Sequence, residues 1–150
     1  MTKRLFAALL TIALSSPALS PIAYAAAAQT VAITLQDPSV DSSNSGMVIK
    51  ADTTKVKAGR VTFEAINRSK DLVHEMLVVP APADGTELPY DTKTSTIIEK
   101  RVHSLGEISE LKPGARGKLT LNLKAGTYLL LCNQPGHYKA GMSTKVVVEK

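Results

Sequence analysis

One cysteine in 150 residues, Cys132, excludes any disulfide within the chain. Long apolar runs are missing as well. The uncharged stretch LFAALLTIAL at 5–14 is too short to cross a bilayer comfortably, which takes about 20 residues. Basic residues exceed acidic ones, 18 to 13, but the lysines stand singly along the chain. Aromatics are confined to two phenylalanines and four tyrosines. Scattered cations with few stacking rings exclude the usual footprint of a nucleic-acid binder. No stretch holds a helical period through three turns, and there are no internal repeats or low-complexity tracts.

What is present begins with an export signature. MTKR is basic, 5–14 is apolar, and Ala23-Tyr24-Ala25 supplies a small-residue cleavage site. Cleavage is expected after Ala25. A cut after Ser20 would leave Pro21 next, a poor residue after a cut. The alternative is an uncleaved N-terminal anchor. Residues 26–150 then form a single domain. Loss of Lys3 and Arg4 leaves 16 basic against 13 acidic residues, a net +3. In an oxidising compartment an exposed lone thiol would be oxidised or mispaired, so Cys132 is expected to be buried or held by a metal.

The rest reads as short strands between turns: VAITL (31–35), MVIKA (47–51), KVKAGRVTFEAIN (55–67), HEMLVVP (74–80), KLTLNL (118–123), TYLLLC (127–132) and STKVVVE (143–149). Val, Ile, Thr and Leu dominate, and Gly or Pro punctuates most of the runs. This predicts an all-β sandwich or small barrel. DPSVDSSNSG (37–46) reads as a loop. The longer polar stretch 81–107 reads as an excursion between strands with a short helical turn around 94–101.

CNQPGHYKAGM, residues 132–142, concentrates the chemistry. Pro135 and Gly136 let the loop fold tightly, so that Cys132, His137 and Met142 converge. Thiolate, imidazole and thioether are soft donors that disfavour magnesium and calcium and suit copper. Two histidines and a cysteine with a weak axial methionine form the blue-copper electron-transfer arrangement. The second histidine must be His74 or His103. His74 opens a strand and can share a pole with the Cys132 loop, whereas His103 lies in the excursion and reads as a surface residue.

GTYLLLCNQPGHYKAGM resembles the C-terminal copper motif of the cupredoxins, the plastocyanin/azurin family, and its Cys-x4-His-x4-Met spacing is similar to that of rusticyanin and auracyanin. NRSKDLVHEMLVV is similar to the family's first ligand segment. The resemblance covers roughly residues 46–150. It implies a Greek-key β-sandwich of about eight strands and one copper ion, with His74, Cys132 and His137 equatorial and Met142 axial. Together with the export signature it points to a monomeric one-electron carrier, periplasmic or otherwise exported, without enzymatic activity and without stable membrane insertion after signal cleavage. Redox partners would dock transiently on a patch around His137 built by Pro135, Gly136, Tyr138, Ala140 and Gly141, with Lys139 at its rim favouring an acidic partner.

One position departs from the family, which places Asn or Ser after the first histidine where this chain has Glu75. The backbone N–H of Glu75 can still donate to the thiolate. Its carboxylate can accept from the N–H of Asn133 and should favour Cu(II) over Cu(I). A second reading makes Glu75 a ligand, although Met142 already fills the axial position. The plain reading is a solvent-facing strand residue. Met76, two residues from His74, reads as core packing. Asn67-Arg68-Ser69 matches a glycosylation acceptor, a tripeptide common by chance. The alternative function is copper delivery or buffering. A Cys132–His137 nucleophile–base pair would want a third orienting group and a substrate cleft, which about 125 residues of strand with a methionine in the same loop do not suggest, and three histidines are too few for a trinuclear copper centre.

Overall fold

Val31, Ile33 and Leu35, and likewise Val61, Phe63 and Ala65, recur at every second position, which puts one face of each strand into a core. A computed structural model describes residues 29–38 and 46–150. The expected signal segment 1–25, and most of the 37–46 loop, lie outside the described residues. The first sheet runs in the order β2 (Val48–Ala51), β1 (Gln29–Gln36), β4 (Gly59–Asn67), β9 (Arg116–Leu123). β1 and β4 are parallel, in a register that pairs Leu35 with Asn67. The second sheet runs β3 (Lys55–Lys57), β11 (Ser143–Glu149), β10 (Gly126–Leu131), β5 (His74–Pro80), β8 (Gly106–Leu111). The inner faces meet in one core that holds Phe63, Met76, Val78, Leu130, Cys132, Met142 and Val146.

Nine strands build the two described sheets, against about eight expected. The strand hidden in the sequence is β8, GEISEL, whose apolar residues are too sparse to show period two. Between β5 and β8 the excursion forms a two-stranded hairpin, β6 (Tyr90–Asp91) with β7 (Thr96–Ile97), and a single 3₁₀ turn, Glu99–Arg101, within the predicted helical region.

The excursion explains why β5 and β10 read as unbroken apolar runs rather than alternating ones. Met76 and Val78 face the main core, while Leu77 and Val79 face outward. The outward residues join Leu129 and Leu131 under Leu88, Ile97, Tyr90, Val102 and Tyr138. Both faces of these central strands are thus covered, and a strand buried on both sides must be apolar throughout. The excursion is a second layer of the fold, seated beside the loop that leaves β10.

Candidate metal centre

The loop after β10 closes on itself through its backbone. Cys132 N–H donates to Met142 O at 3.1 Å, Met142 N–H to His137 O at 3.0 Å, and His137 N–H to Gln134 O at 3.0 Å. Gly136 and Gly141 have φ of +82° and +93°, left-handed conformations in which a side chain is strained. The loop therefore depends on glycine at both turns.

Three donor atoms meet at its base. His137 Nδ1 lies 3.2 Å from His74 Nδ1 and 3.4 Å from Cys132 Sγ, and Cys132 Sγ lies 4.0 Å from His74 Nδ1. A triangle with sides of 3.2, 3.4 and 4.0 Å has its equidistant point inside it, about 2.1 Å from each corner. Imidazole nitrogen binds zinc at about 2.0–2.1 Å and thiolate sulfur at about 2.3 Å. The gap thus matches a first-row metal ion within a few tenths of an ångström. Met142 is fully buried in the core cluster that also holds Cys132, and its backbone is bonded to both Cys132 and His137. His74 and Cys132 are fully buried, while His137 is half-buried. Two imidazoles and one thiol with a buried thioether in their loop suit copper, as the sequence suggests.

Burial shapes the metal-free donors. Desolvation lowers the His74 pKa to about 4, reinforced by His137 and opposed by Asp37. Desolvation likewise lowers His137, again opposed by Asp37. It pushes the Cys132 thiol up to about 11, against the N–H groups of Glu75 and Gln134. Near neutral pH the metal-free site is therefore a neutral set of donors whose thiol must release a proton on metal binding.

Two stability limbs follow. Between pH 6.5 and about 4 the unfolded chain takes up a proton at His74 that the folded chain resists, so acid destabilises the metal-free protein. Between pH 9 and about 11 the folded chain keeps a Cys132 proton that the unfolded chain sheds, so alkali destabilises it too. Thermal unfolding of the metal-free protein should peak between these windows, and Cys132→Ser should flatten the alkaline limb. An alkaline limb unchanged by that substitution would contradict the assignment to Cys132.

The residues around the donors divide into those the sequence suggested and those it did not. Glu75 N–H points at Cys132 Sγ at 3.5 Å, as expected. Its carboxylate accepts from Gln134 Nε2 at 3.3 Å and from the Asn133 N–H. Glu75 is half-buried rather than solvent-facing and lies outside the three-donor cluster. Desolvation, with Glu107 and Glu99 adding to it, raises its pKa. Asn133 is buried and turns its side chain to the excursion. It accepts from Ile97 N–H at 2.6 Å and donates to Ile97 O at 3.2 Å and Glu99 Oε1 at 2.8 Å. Gly136 N–H donates to Ser95 O at 2.7 Å, so the ligand loop is pinned to the excursion at two points.

His103 is exposed and outside the cluster, and Met76 is core packing, both as expected. Lys139, the expected basic rim of the docking patch, is paired with Glu87 at 2.6 Å. Asn67 is fully buried, donating to Leu72 O and Leu111 O at 2.8 Å each and accepting from Ser69 N–H. It organises the turn before His74 and offers no glycosylation acceptor in the folded chain. Behind His74, the buried Ser69 Oγ lies 2.7 Å from Nε2, and the buried Asp37 Oδ2 lies 3.8 Å from it. Neither was singled out in the sequence, where both read as turn residues.

A two-sheet β-sandwich with two histidines and a cysteine converging beneath one loop defines a small metal-binding β protein. The chain belongs to the copper binding proteins of the plastocyanin/azurin family, whose pattern residues 36–149 match. Among solved structures, a dithionite-reduced auracyanin from the photosynthetic bacterium Roseiflexus castenholzii is 18% identical at a TM-score of 0.52, over 79% of this chain and 97% of that one. Rusticyanin from Thiobacillus ferrooxidans is 20% identical at a TM-score of 0.57, over 81% of this chain and 78% of that one. Auracyanin B is 20% identical at a TM-score of 0.54, over 81% and 89%. At these identities the likeness is one of fold. No curated protein sequence matches the chain significantly.

Proposed function

We propose that this protein is an exported one-electron carrier that would hold a single copper ion through His74, Cys132 and His137, with Met142 as a fourth, weaker donor. Residues 1–25 are its secretory signal, and residues 26–150 are one domain acting in the periplasm as a monomer. The observation that carries the reading is the equidistant gap between two imidazole nitrogens and one sulfur. Bound copper supplies the Cu(II)/Cu(I) couple. The chain's part is to hold the donors nearly still between the two states, since atoms that do not move present little barrier to transfer. Loop hydrogen bonds, the Glu75 N–H and the pinning by the excursion all serve that end.

His137 is the donor nearest solvent, amid the exposed Pro135, Ala140 and Gly141 and the half-buried Tyr138. A redox partner docks there transiently. With Lys139 paired to Glu87, the patch offers an apolar surface more than a basic one, and partner affinity should depend only weakly on salt. Nucleophilic use of Cys132 is disfavoured. The thiol is fully buried, and burial keeps it protonated near neutral pH.

Voltammetry of the copper-loaded protein tests the reading. A reversible one-electron couple with copper retained through cycling is expected. Glu75→Gln, which removes a carboxylate near the thiolate, should raise the potential while the visible spectrum keeps its shape. Loss of copper on reduction, or ready transfer to a mild chelator, would favour copper delivery instead. A spectrum recast by Glu75→Gln would place the carboxylate on the metal.

A further inference from the structure

The parallel register of β1 and β4 runs to the strand ends. Leu35 pairs with Asn67, and Arg68 N–H donates to Leu35 O at 2.8 Å. Two residues beyond this last pair come Asp37 on one chain segment and Ser69 on the other. Both are buried, at 4% and 3% exposure. Both face Nε2 of His74, the ring nitrogen away from the donor cluster, Ser69 Oγ at 2.7 Å and Asp37 Oδ2 at 3.8 Å. A buried carboxylate is costly to keep, and here one lies behind the only fully buried imidazole of the site.

We propose that Asp37 is a positioning residue for the metal centre: with Ser69 it holds the His74 ring with its proton on Nε2 and Nδ1 open to the metal, and its charge favours Cu(II) over Cu(I). The inference rests on His74 being a copper ligand. A hydroxyl can donate or accept, so Ser69 alone fixes neither tautomer. A carboxylate can only accept, and it sets the polarity behind the ring. Hydrogen bonding of the distal ring nitrogen orients a ligand imidazole and raises its basicity. Charge gives the second effect. A carboxylate behind the ring would stabilise the more positive Cu(II) more than Cu(I), whatever else it contacts.

The test uses Asp37→Asn, which keeps size and an acceptor but removes the charge, and Asp37→Ala. In metal-free wild type, nitrogen-15 NMR of the histidine rings should show His74 as the Nε2–H tautomer, and Asp37→Ala should mix the tautomers. With Cu(II) as the probe, Asp37→Ala should bind about 10- to 100-fold more weakly, the usual cost of losing such an outer contact. Asp37→Asn should keep the visible spectrum and raise the potential, by about 59 mV for each tenfold that Cu(II) loses more than Cu(I). A merely structural role would loosen folding without moving the tautomer or the potential. An unchanged tautomer in Asp37→Ala, or an unchanged potential in Asp37→Asn, would overturn the proposal. Failure of the copper reading would instead show in the wild type as missing thiolate-to-copper absorption, and the metal-free tautomer measurement would still judge Asp37. If Asp37→Ala does not fold, the near-isosteric Asp37→Asn still provides the potential, and a potential matching wild type overturns it.

Discussion

Cys132→Ser should abolish the intense visible absorption of the copper protein and weaken Cu(II) binding by more than the 10- to 100-fold typical of an outer-shell contact. The thiolate is the only anionic donor of the three, so the remaining site is two neutral imidazoles and a thioether. It should be colourless and hold Cu(II) poorly. A serine hydroxyl does not replace it, because it stays protonated at neutral pH and is a hard donor. Competition with a mild chelator, read beside the visible spectrum, checks the result. Retained affinity and retained colour would move the anionic ligand elsewhere, with Glu75 the first residue to examine.

Asn133→Ala should be strongly destabilising for a polar residue outside the donor atoms. Its side chain makes three hydrogen bonds, two of them to the backbone of Ile97, which is itself 2% exposed. Truncation leaves a buried N–H and C=O without these partners, at about 1–3 kcal/mol for each group left unmade. A loss of about 2–4 kcal/mol is expected in denaturant unfolding of the metal-free protein. With one of its two ties to the excursion cut, the ligand loop should also broaden the Cu(II) EPR lines as several geometries become populated. A loss below about 0.5 kcal/mol, the range of an ordinary surface change, with an unaltered spectrum would show that Asn133 does not hold the loop to the excursion.

The donor loop was legible because it is local. Cys132, His137 and Met142 lie within eleven residues, Pro135 and Gly136 announce the turn, and the chemistry follows from residue type. His74 was legible by position, at the loop-proximal start of a strand. What lay hidden depends on distant pairing. Asp37 reads as a turn residue, and only the folded chain brings it behind His74, 37 residues away. Asn67 reads as a glycosylation match, although its amide ties together a loop whose partners lie five and 44 residues away. The excursion at 81–107 reads as polar, because the few apolar residues it lays over β5 and β10 are spread among turns. The unbroken runs LVV and LLL were the available signal, since strands without alternation are buried on both faces.

Addition of Cu(II) to the purified protein, followed by visible and EPR spectroscopy, tests the central claim most directly. With His74, Cys132 and His137 around one copper ion, binding should saturate at one equivalent. It should bring intense thiolate-to-copper absorption and a small copper hyperfine splitting, both lost in Cys132→Ser. A colourless product with wide hyperfine splitting, readily stripped by a mild chelator, would contradict it.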